Sequence, residues 1–279
     1  ETKTLIPDKV VQTTCTYCGV GCQLEVAVID NKIKGIQAPV TAEVNEGHTC
    51  LKGRFAFQFY DHPDRLKEPM IKRNGKFEEV SWEEAYDFIT TKLKHIRAKY
   101  GPDSIGGISS SRTTNEENYL MQKFIRVAIG TNNIDGCARV CHAPTAYGMQ
   151  HSFGTGAATN SIEDIKQTDA IFLFGANPIK GHPVTGAKIK QAFMQGITSI
   201  VVDPIRTKLS ELATYHLQIR PGTNVAVLNM LAHYIIKENL VNKDFIEAYT
   251  EMYADFKDHV IHLDIDELER ITGVNKVLV

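Results

Sequence analysis

Residues 169–204 read DAIFLFGANPIKGHPVTGAKIKQAFMQGITSIVVDP, and how this stretch divides decides the fold. The apolar runs within DAIFLFGAN and ITSIVVDP have the length of buried strands. Between them lies a helical pattern, giving a strand at Asp169–Gly175, a helix at Val184–Met194 and a strand at Thr198–Asp203. Strands joined through a helix rather than a tight turn pair in parallel. The alternation continues with a short strand at Tyr215–Ile219 and a helix at Asn224–Lys237, which starts after Pro221-Gly222. A doubly wound, Rossmann-like α/β sheet is therefore expected from residue 141 to 279. Such sheets bind ligands at the carboxyl ends of their strands, which makes Gly175–Asn177 and Asp203–Thr207 candidate binding loops.

Upstream, residues 63–140 also read as α/β. In SWEEAYDFITTKLKHIRAKYG (81–101), Ser81 and Glu84 form a capping-box pattern. Ala85, Phe88, Ile89, Leu93 and Ile96 then recur at helical spacing, and Gly101-Pro102 stops the helix. SIGGISSS (104–111) reads as a strand emptying into a polar loop, and NEENYLMQKFIRVAIG (115–130) as a second amphipathic helix. The first region, 8–62, is short and turn-rich. There QLEVAVID (23–30) alternates apolar and polar residues, turns at NK and returns as IKGIQA, a β-hairpin pattern. Pro63 and Pro69 punctuate its exit.

The 279 residues are 43% hydrophobic with a formal net charge of −2, enough for a sizeable core and about two domains. No dense Lys/Arg run points to nucleic acid. No apolar run approaches the roughly 20 residues that span a bilayer. Nothing near the start reads as a signal peptide or twin-arginine export signal, so a cytoplasmic location is expected.

The six cysteines fall into two groups. CTYCGVGC (15–22) supplies Cys15, Cys18 and Cys22, and Cys50 completes a C-x2-C-x3-C-x27-C pattern. A disulfide framework belongs to small secreted domains, so metal or redox chemistry is expected. Zinc commonly takes its thiolates as two separate pairs. Three thiolates from one loop and a fourth from a distant residue suit the corners of a 4Fe–4S cubane, with a zinc-ribbon variant as the competing reading. Gly19 and Gly21 let the backbone approach such a cluster. In CLKGRF (50–55), Lys52 follows the fourth cysteine by two residues. It is either a surface lysine or a positive group between the cluster and a second redox centre. The second group lies in GCARVCHAP (136–144), where Cys141 adjoins His142. On residue chemistry alone Cys141 is a nucleophile, a metal ligand or a packed thiol.

Taken together, CTYCGVGC, CLKGRF, RTTNEENYLMQKFIRVAIGTNNID, CARVCHAP, FGANPIKGHPV and PGTNVAVLN resemble the molybdenum or tungsten bis-pterin oxidoreductases, specifically the catalytic subunit of formate dehydrogenase. The four-cysteine pattern is shared across that superfamily, whereas CARVCHAP points to its formate branch. The resemblance implies a 4Fe–4S cluster on Cys15, Cys18, Cys22 and Cys50. It implies a molybdenum or tungsten bis-molybdopterin guanine dinucleotide whose metal is held by Cys141, with His142 positioning substrate or relaying a proton. Lys52 then bridges the cluster and one pterin. The loops with Gly175, Asn177, Asp203, Arg206, Thr207, Gly222 and Asn224 take the dinucleotide arm. Cys137 has no role there and reads as a core cysteine.

Formate would give carbon dioxide, a proton and two electrons, the electrons leaving through the cluster to ferredoxin-like, flavin/NAD or hydrogenase-type partners. Catalytic subunits of this kind run several hundred residues longer, so the sequence reads as the front part of a longer polypeptide, with its pterin-binding domains incomplete. A nitrate reductase and a non-catalytic iron–sulfur relay module are the competing functions.

Overall fold

The structure, a computed structural model, describes residues 6–279. By its internal contacts the chain forms two compact units. The first takes in the chain through Tyr17, Gly21–Ala42 and Leu51–Asn160; the second takes in Cys18–Val20, Glu43–Cys50 and Ser161–Val279.

The first unit opens on an antiparallel sheet of β1 (Lys9–Thr14), β2 (Gln23–Ile29) and β3 (Lys32–Gln37), with β2 in the centre. Leu24, Val26 and Val28 are buried while their neighbours on β2 are not, the period of two expected of a sheet with one covered face. The turn into β3 is made by Asp30 and Asn31, both left-handed (φ 50° and 56°), one residue ahead of the expected Asn-Lys pair. The short helix α1 (Leu51–Phe55) follows.

β4 (Met70–Arg73) and β5 (Lys76–Glu79) form a second hairpin. Its turn is Asn74-Gly75, at φ 51° and 84°, a strong hairpin signal that the expectation above lacks. Helix α2 (Trp82–Tyr100) runs as expected, with Ser81 accepting the Glu84 N–H at 3.2 Å. The capping box is only half made, because the Glu84 carboxylate pairs with Arg73. The apolar stripe of α2 differs from expectation too. Ala85 is buried and Leu93 and Ile96 are half-buried, but Phe88 and Ile89 are 45% and 51% exposed, so that face is only partly covered.

β6 (Gly107–Ser109) leads into α3 (Asn115–Lys123), which has a complete capping box between Thr114 and Glu117. At Phe124–Ile129 the helix widens to π geometry, then ends on left-handed Gly130. β7 (Ile134–Gly136) pairs in parallel with β6. Gly107 leaves room for the helix to pack on that pair, because a Cβ there would lie 2.7 Å from the Ile125 side chain and 2.9 Å from that of Ile134. The helices α4 (Ala138–Cys141) and α5 (Ala143–Phe153) complete this unit.

In the second unit the stretch that decided the fold becomes β8 (Ala170–Phe174), α6 (Pro178–Gly181), α7 (Pro183–Met194) and β9 (Thr198–Val202). β10 (Tyr215–Leu217) joins them in a wholly parallel sheet of order β10-β9-β8. α8 (Asn224–Lys237), α9 (Lys243–Tyr249), α10 (Tyr253–Ile261) and α11 (Ile265–Thr272) follow. Both sheet faces are covered, as double winding requires. On one face Val202 and Leu217 pack with Val227 of α8. On the other, Val201 packs with Ile189 and Phe193 of α7. Val201 and Val202 are adjacent, point to opposite faces and are both fully buried, which marks β9 as the centre of the core. Among the described residues no helix is long and apolar enough to cross a membrane.

Candidate functional site

The loop Cys15–Cys22 is the connection between β1 and β2, so its ends are set by strand pairing. The Cys15 N–H donates to the Cys22 carbonyl at 2.8 Å, closing its base. Gly21 is left-handed at φ 74°, a conformation only glycine adopts cheaply. A Cβ at either Gly19 or Gly21 would meet no atom within 4 Å, so one face of the loop is open. Cys22 is buried, and Cys15, Cys18 and Cys50 are half-buried; none of the four is in a disulfide. Among the described residues no three thiols, imidazoles or carboxylates converge tightly enough to hold one metal ion. Mononuclear zinc needs all its sulfurs within about 2.3 Å of a single point. A cubane places each cysteine on a separate corner, so it requires no such convergence. Lys52 lies exposed on α1.

The parallel pair β6–β7 sends both of its carboxyl ends to one edge. The polar loop 110–114 leaves β6 there, and the cysteine segment leaves β7 beside it. The Cys137 sulfur consequently accepts the Ser111 N–H at 3.3 Å and lies 3.1 Å from the Ser111 hydroxyl. These contacts hold its thiol pKa below the usual cysteine value, the Ser111 hydroxyl foremost. Cys137 is half-buried at a loop contact and is not the core cysteine expected above. Cys141 ends α4 with its thiol exposed and its N–H on the Cys137 carbonyl at 3.2 Å. The chain bends at His142 (φ −145°, ψ 2°), also exposed, whose carbonyl accepts the Ala146 N–H to open α5. An exposed soft sulfur and an imidazole thus leave the carboxyl edge of the β6–β7 pair side by side.

Arg112, from the same polar loop, donates to the Tyr17 carbonyl inside the cysteine loop. Loop 110–114 therefore touches both cysteine groups, through Arg112 on one and Ser111 on the other. The sequence reading named neither residue. Their early signs are the position of SSSRTT at the end of a strand and, for Arg112, its place at the head of the matching segment RTTNEENYLMQKFIRVAIGTNNID.

In the second unit the parallel sheet brings the three expected loops to one edge. Gly175, at φ 59°, ends β8 and donates its N–H to the Val202 carbonyl at 2.9 Å. Asn177 is half-buried at the start of α6. Asp203 follows β9 with only 8% of its surface exposed, and its carboxylate accepts the Ile205 N–H at 2.9 Å. Its carbonyl lies 3.1 Å from His216 Nε2 on the neighbouring strand. Arg206 is exposed. The buried Thr207 is committed internally: its hydroxyl accepts the Ser210 N–H, and its own N–H donates to the Ser210 hydroxyl. It shapes the loop. Gly222 (φ 86°) makes the turn after β10, and exposed Asn224 opens α8. An arginine, amide side chains, a carboxylate and unobstructed glycine backbone are the donors and acceptors that phosphate and a purine base require.

The family model for the molybdopterin oxidoreductase Fe4S4 domain matches residues 8–62, and that for molybdopterin oxidoreductase matches 65–271. The chain is 44% identical to the F420-dependent formate dehydrogenase subunit alpha of Methanocaldococcus jannaschii, over 97% of this chain and 40% of that one. It is 41% identical to formate dehydrogenase H of Escherichia coli, over 96% of this chain and 38% of that one. The chain thus spans about two fifths of the length of these curated relatives. Among solved structures, the acetylene hydratase of Pelobacter acetylenicus superposes with a TM-score of 0.77 at 28% identity, over 95% of this chain and 37% of that one. The residues present fit the cofactors these families take. Four cysteines outside any disulfide and an open glycine face suit a 4Fe–4S cluster, and the strand-end loops suit the phosphates of a pterin cofactor.

Proposed function

The chain belongs to the molybdopterin oxidoreductase family, and on that premise we propose that it forms part of a formate dehydrogenase catalytic subunit. The observation that carries this reading is identity of 40–44% to named formate dehydrogenase alpha subunits along nearly the whole chain. Fold alone does not choose the reaction, since an acetylene hydratase shares it. The adjacent thiol and imidazole of Cys141 and His142 favour formate over a nitrate reductase.

Formate oxidation releases carbon dioxide, one proton and two electrons. The pterin-bound molybdenum or tungsten supplies the two-electron acceptor when bound. Cys141 would hold that metal through a sulfur exposed at the edge of the β6–β7 pair. His142, next in the chain, would orient the formate carboxylate and carry the released proton toward solvent. Arg206 would hold the phosphates of a guanine dinucleotide arm, with Gly175, Gly222 and Asn224 giving backbone access. Asp203 and Asn177 would recognise its base, and Thr207 would support the loop. Cys15, Cys18, Cys22 and Cys50 would ligate the cluster. Lys52, two residues past Cys50, would place a positive charge on the electrons' route to it. The electrons would pass to a ferredoxin-like, flavin/NAD or hydrogenase-type partner in the cytoplasm, where reducing conditions keep cysteine thiols available.

The test is Cys141→Ala in the full-length enzyme purified without air. Losing even an outer-shell partner of a metal ligand costs about 10–100-fold, so losing the ligand itself should lower formate turnover by at least about a hundredfold. The reduced cluster's EPR signal should stay unchanged. Retained turnover would remove Cys141 from the reacting centre.

A further inference from the structure

In the second unit, the apolar stripe of α7 contains a charge. Val184, Ile189, Ala192 and Phe193 are buried, and so is Lys188, at 8% exposure. A buried lysine carries a large desolvation penalty and persists only when fully partnered. Its ammonium makes three contacts: the Val44 carbonyl at 3.1 Å, Glu163 at 3.0 Å and Glu46 at 3.4 Å. Lys166 closes a square by pairing with Glu46 and Glu163, each at 2.8 Å. Two lysines and two glutamates cancel in charge. The square joins α7 and the turn Ile162–Lys166 to a segment more than a hundred residues earlier in the chain.

That earlier segment, Glu43–Cys50, ends on the fourth cysteine. It is a tight turn in its own right. Asn45 is fully buried and donates through Nδ2 to the His48 carbonyl at 2.7 Å, while the His48 N–H returns to the Asn45 carbonyl at 2.6 Å. Glu46 and Gly47 are both left-handed, at φ 44° and 79°. A glutamate seldom adopts that conformation, and here both of its carboxylate oxygens are taken by lysines. Lys188 thus grips the turn twice, by the backbone at Val44 and by the side chain at Glu46. Thr49 and Cys50 follow directly.

We propose that Lys188 is a positioning residue for the iron–sulfur cluster: through Val44 and Glu46 it sets where the Cys50 sulfur is presented. The inference rests on the cluster reading of the four cysteines. A cubane needs its distant fourth ligand at a set place, and Cys50 has no neighbouring cysteine on its own segment to share that constraint. Lys188 touches neither the cluster nor its sulfurs, and its effect is confined to one corner.

The test uses the full-length enzyme purified anaerobically, with Lys188→Met, Lys188→Arg and Glu46→Gln. Glu46→Gln leaves Lys188 paired to Glu163, so the fold survives there even if Lys188→Met fails to fold. Iron content, EPR of the reduced and oxidised cluster, and iron release to a chelator after mild ferricyanide oxidation are compared with thermal unfolding. In that treatment ferricyanide takes one electron from the cluster, and one ferrous ion leaves to give a three-iron cluster. Lys188→Met and Glu46→Gln should release that single iron at least fivefold faster than wild type, well below the unfolding temperature, and Lys188→Arg should restore most of the wild-type rate. Wild-type release rates in Glu46→Gln, or loss of all iron only as the protein unfolds, would overturn the proposal. A wild-type enzyme that holds no iron would instead overturn the cluster reading itself.

Discussion

Gly186→Ala should destabilise the second unit although it improves a helix. Gly186 sits one turn inside α7, where α6 crosses it. A Cβ there would lie 2.6 Å from Ile179 N and from the Pro178 carbonyl carbon, and 2.7 Å from the Pro178 oxygen. That is roughly 0.8 Å inside ordinary contact, and every atom met is backbone. Overpacking of this kind costs about 1–3 kcal/mol, and backbone that cannot rotate aside puts the value near the top. Alanine recovers about 1 kcal/mol in helix propensity, leaving a net loss of about 2 kcal/mol. Gly148→Ala is the matched control: it lies within α5, and its Cβ would meet nothing within 4 Å. It should stabilise by about 0.5–1 kcal/mol. Urea titrations followed by far-ultraviolet circular dichroism would read both. Because Pro178 follows Asn177, Gly186→Ala should also raise amide exchange in the Gly175–Asn177 loop. If Gly186→Ala matched Gly148→Ala in sign, the close approach of α6 and α7 would be wrong.

Acid should act on the Lys188 square through Glu163, whose pKa is lowered to about 2 by its hydrogen bonds to Lys166 and then Lys188. A depressed carboxylate stabilises the fold above its ordinary value of 4.5, and that contribution is lost as pH falls toward about 2. Urea midpoints measured across this window should therefore fall more steeply for wild type than for Glu163→Gln, and parallel profiles would contradict the pairing. Arg112→Ala should loosen the cysteine loop by removing its bond to the Tyr17 carbonyl. A charge-assisted hydrogen bond is worth about 1.5–3 kcal/mol, the low end applying to an exposed one, so exchange of amides 16–21 should rise at least about tenfold. Unchanged exchange would show that strand pairing alone holds the loop.

Local patterns carried most of the fold. The period of two in β2, the strand–helix–strand division of 169–204 and the stops at Gly101 and Gly130 are each written within a few residues, where backbone geometry acts directly. The spacing of Cys15, Cys18, Cys22 and Cys50 likewise pointed to metal–sulfur chemistry, because ligand type and spacing constrain the group bound, whereas Cys141-His142 gained a role only through the resemblance of CARVCHAP to the formate branch. Parallel alternation even placed the strand-end loops, since topology dictates which edge they reach. What only the tertiary structure decided lies between distant segments. Lys188 sits in an apolar helical stripe whose local sequence says nothing of Val44 or Glu46, so its three contacts could not be read from it. Cys137 looked like packing until β6 and β7 paired and set Ser111 beside its sulfur. The apolar periodicity of α2 predicted burial but could not say whether a partner covers that face, and Phe88 and Ile89 remain exposed. Periodicity and spacing are properties of one segment. Partnership depends on which segments the chain brings together, and contacts between positions far apart leave no mark on either one alone.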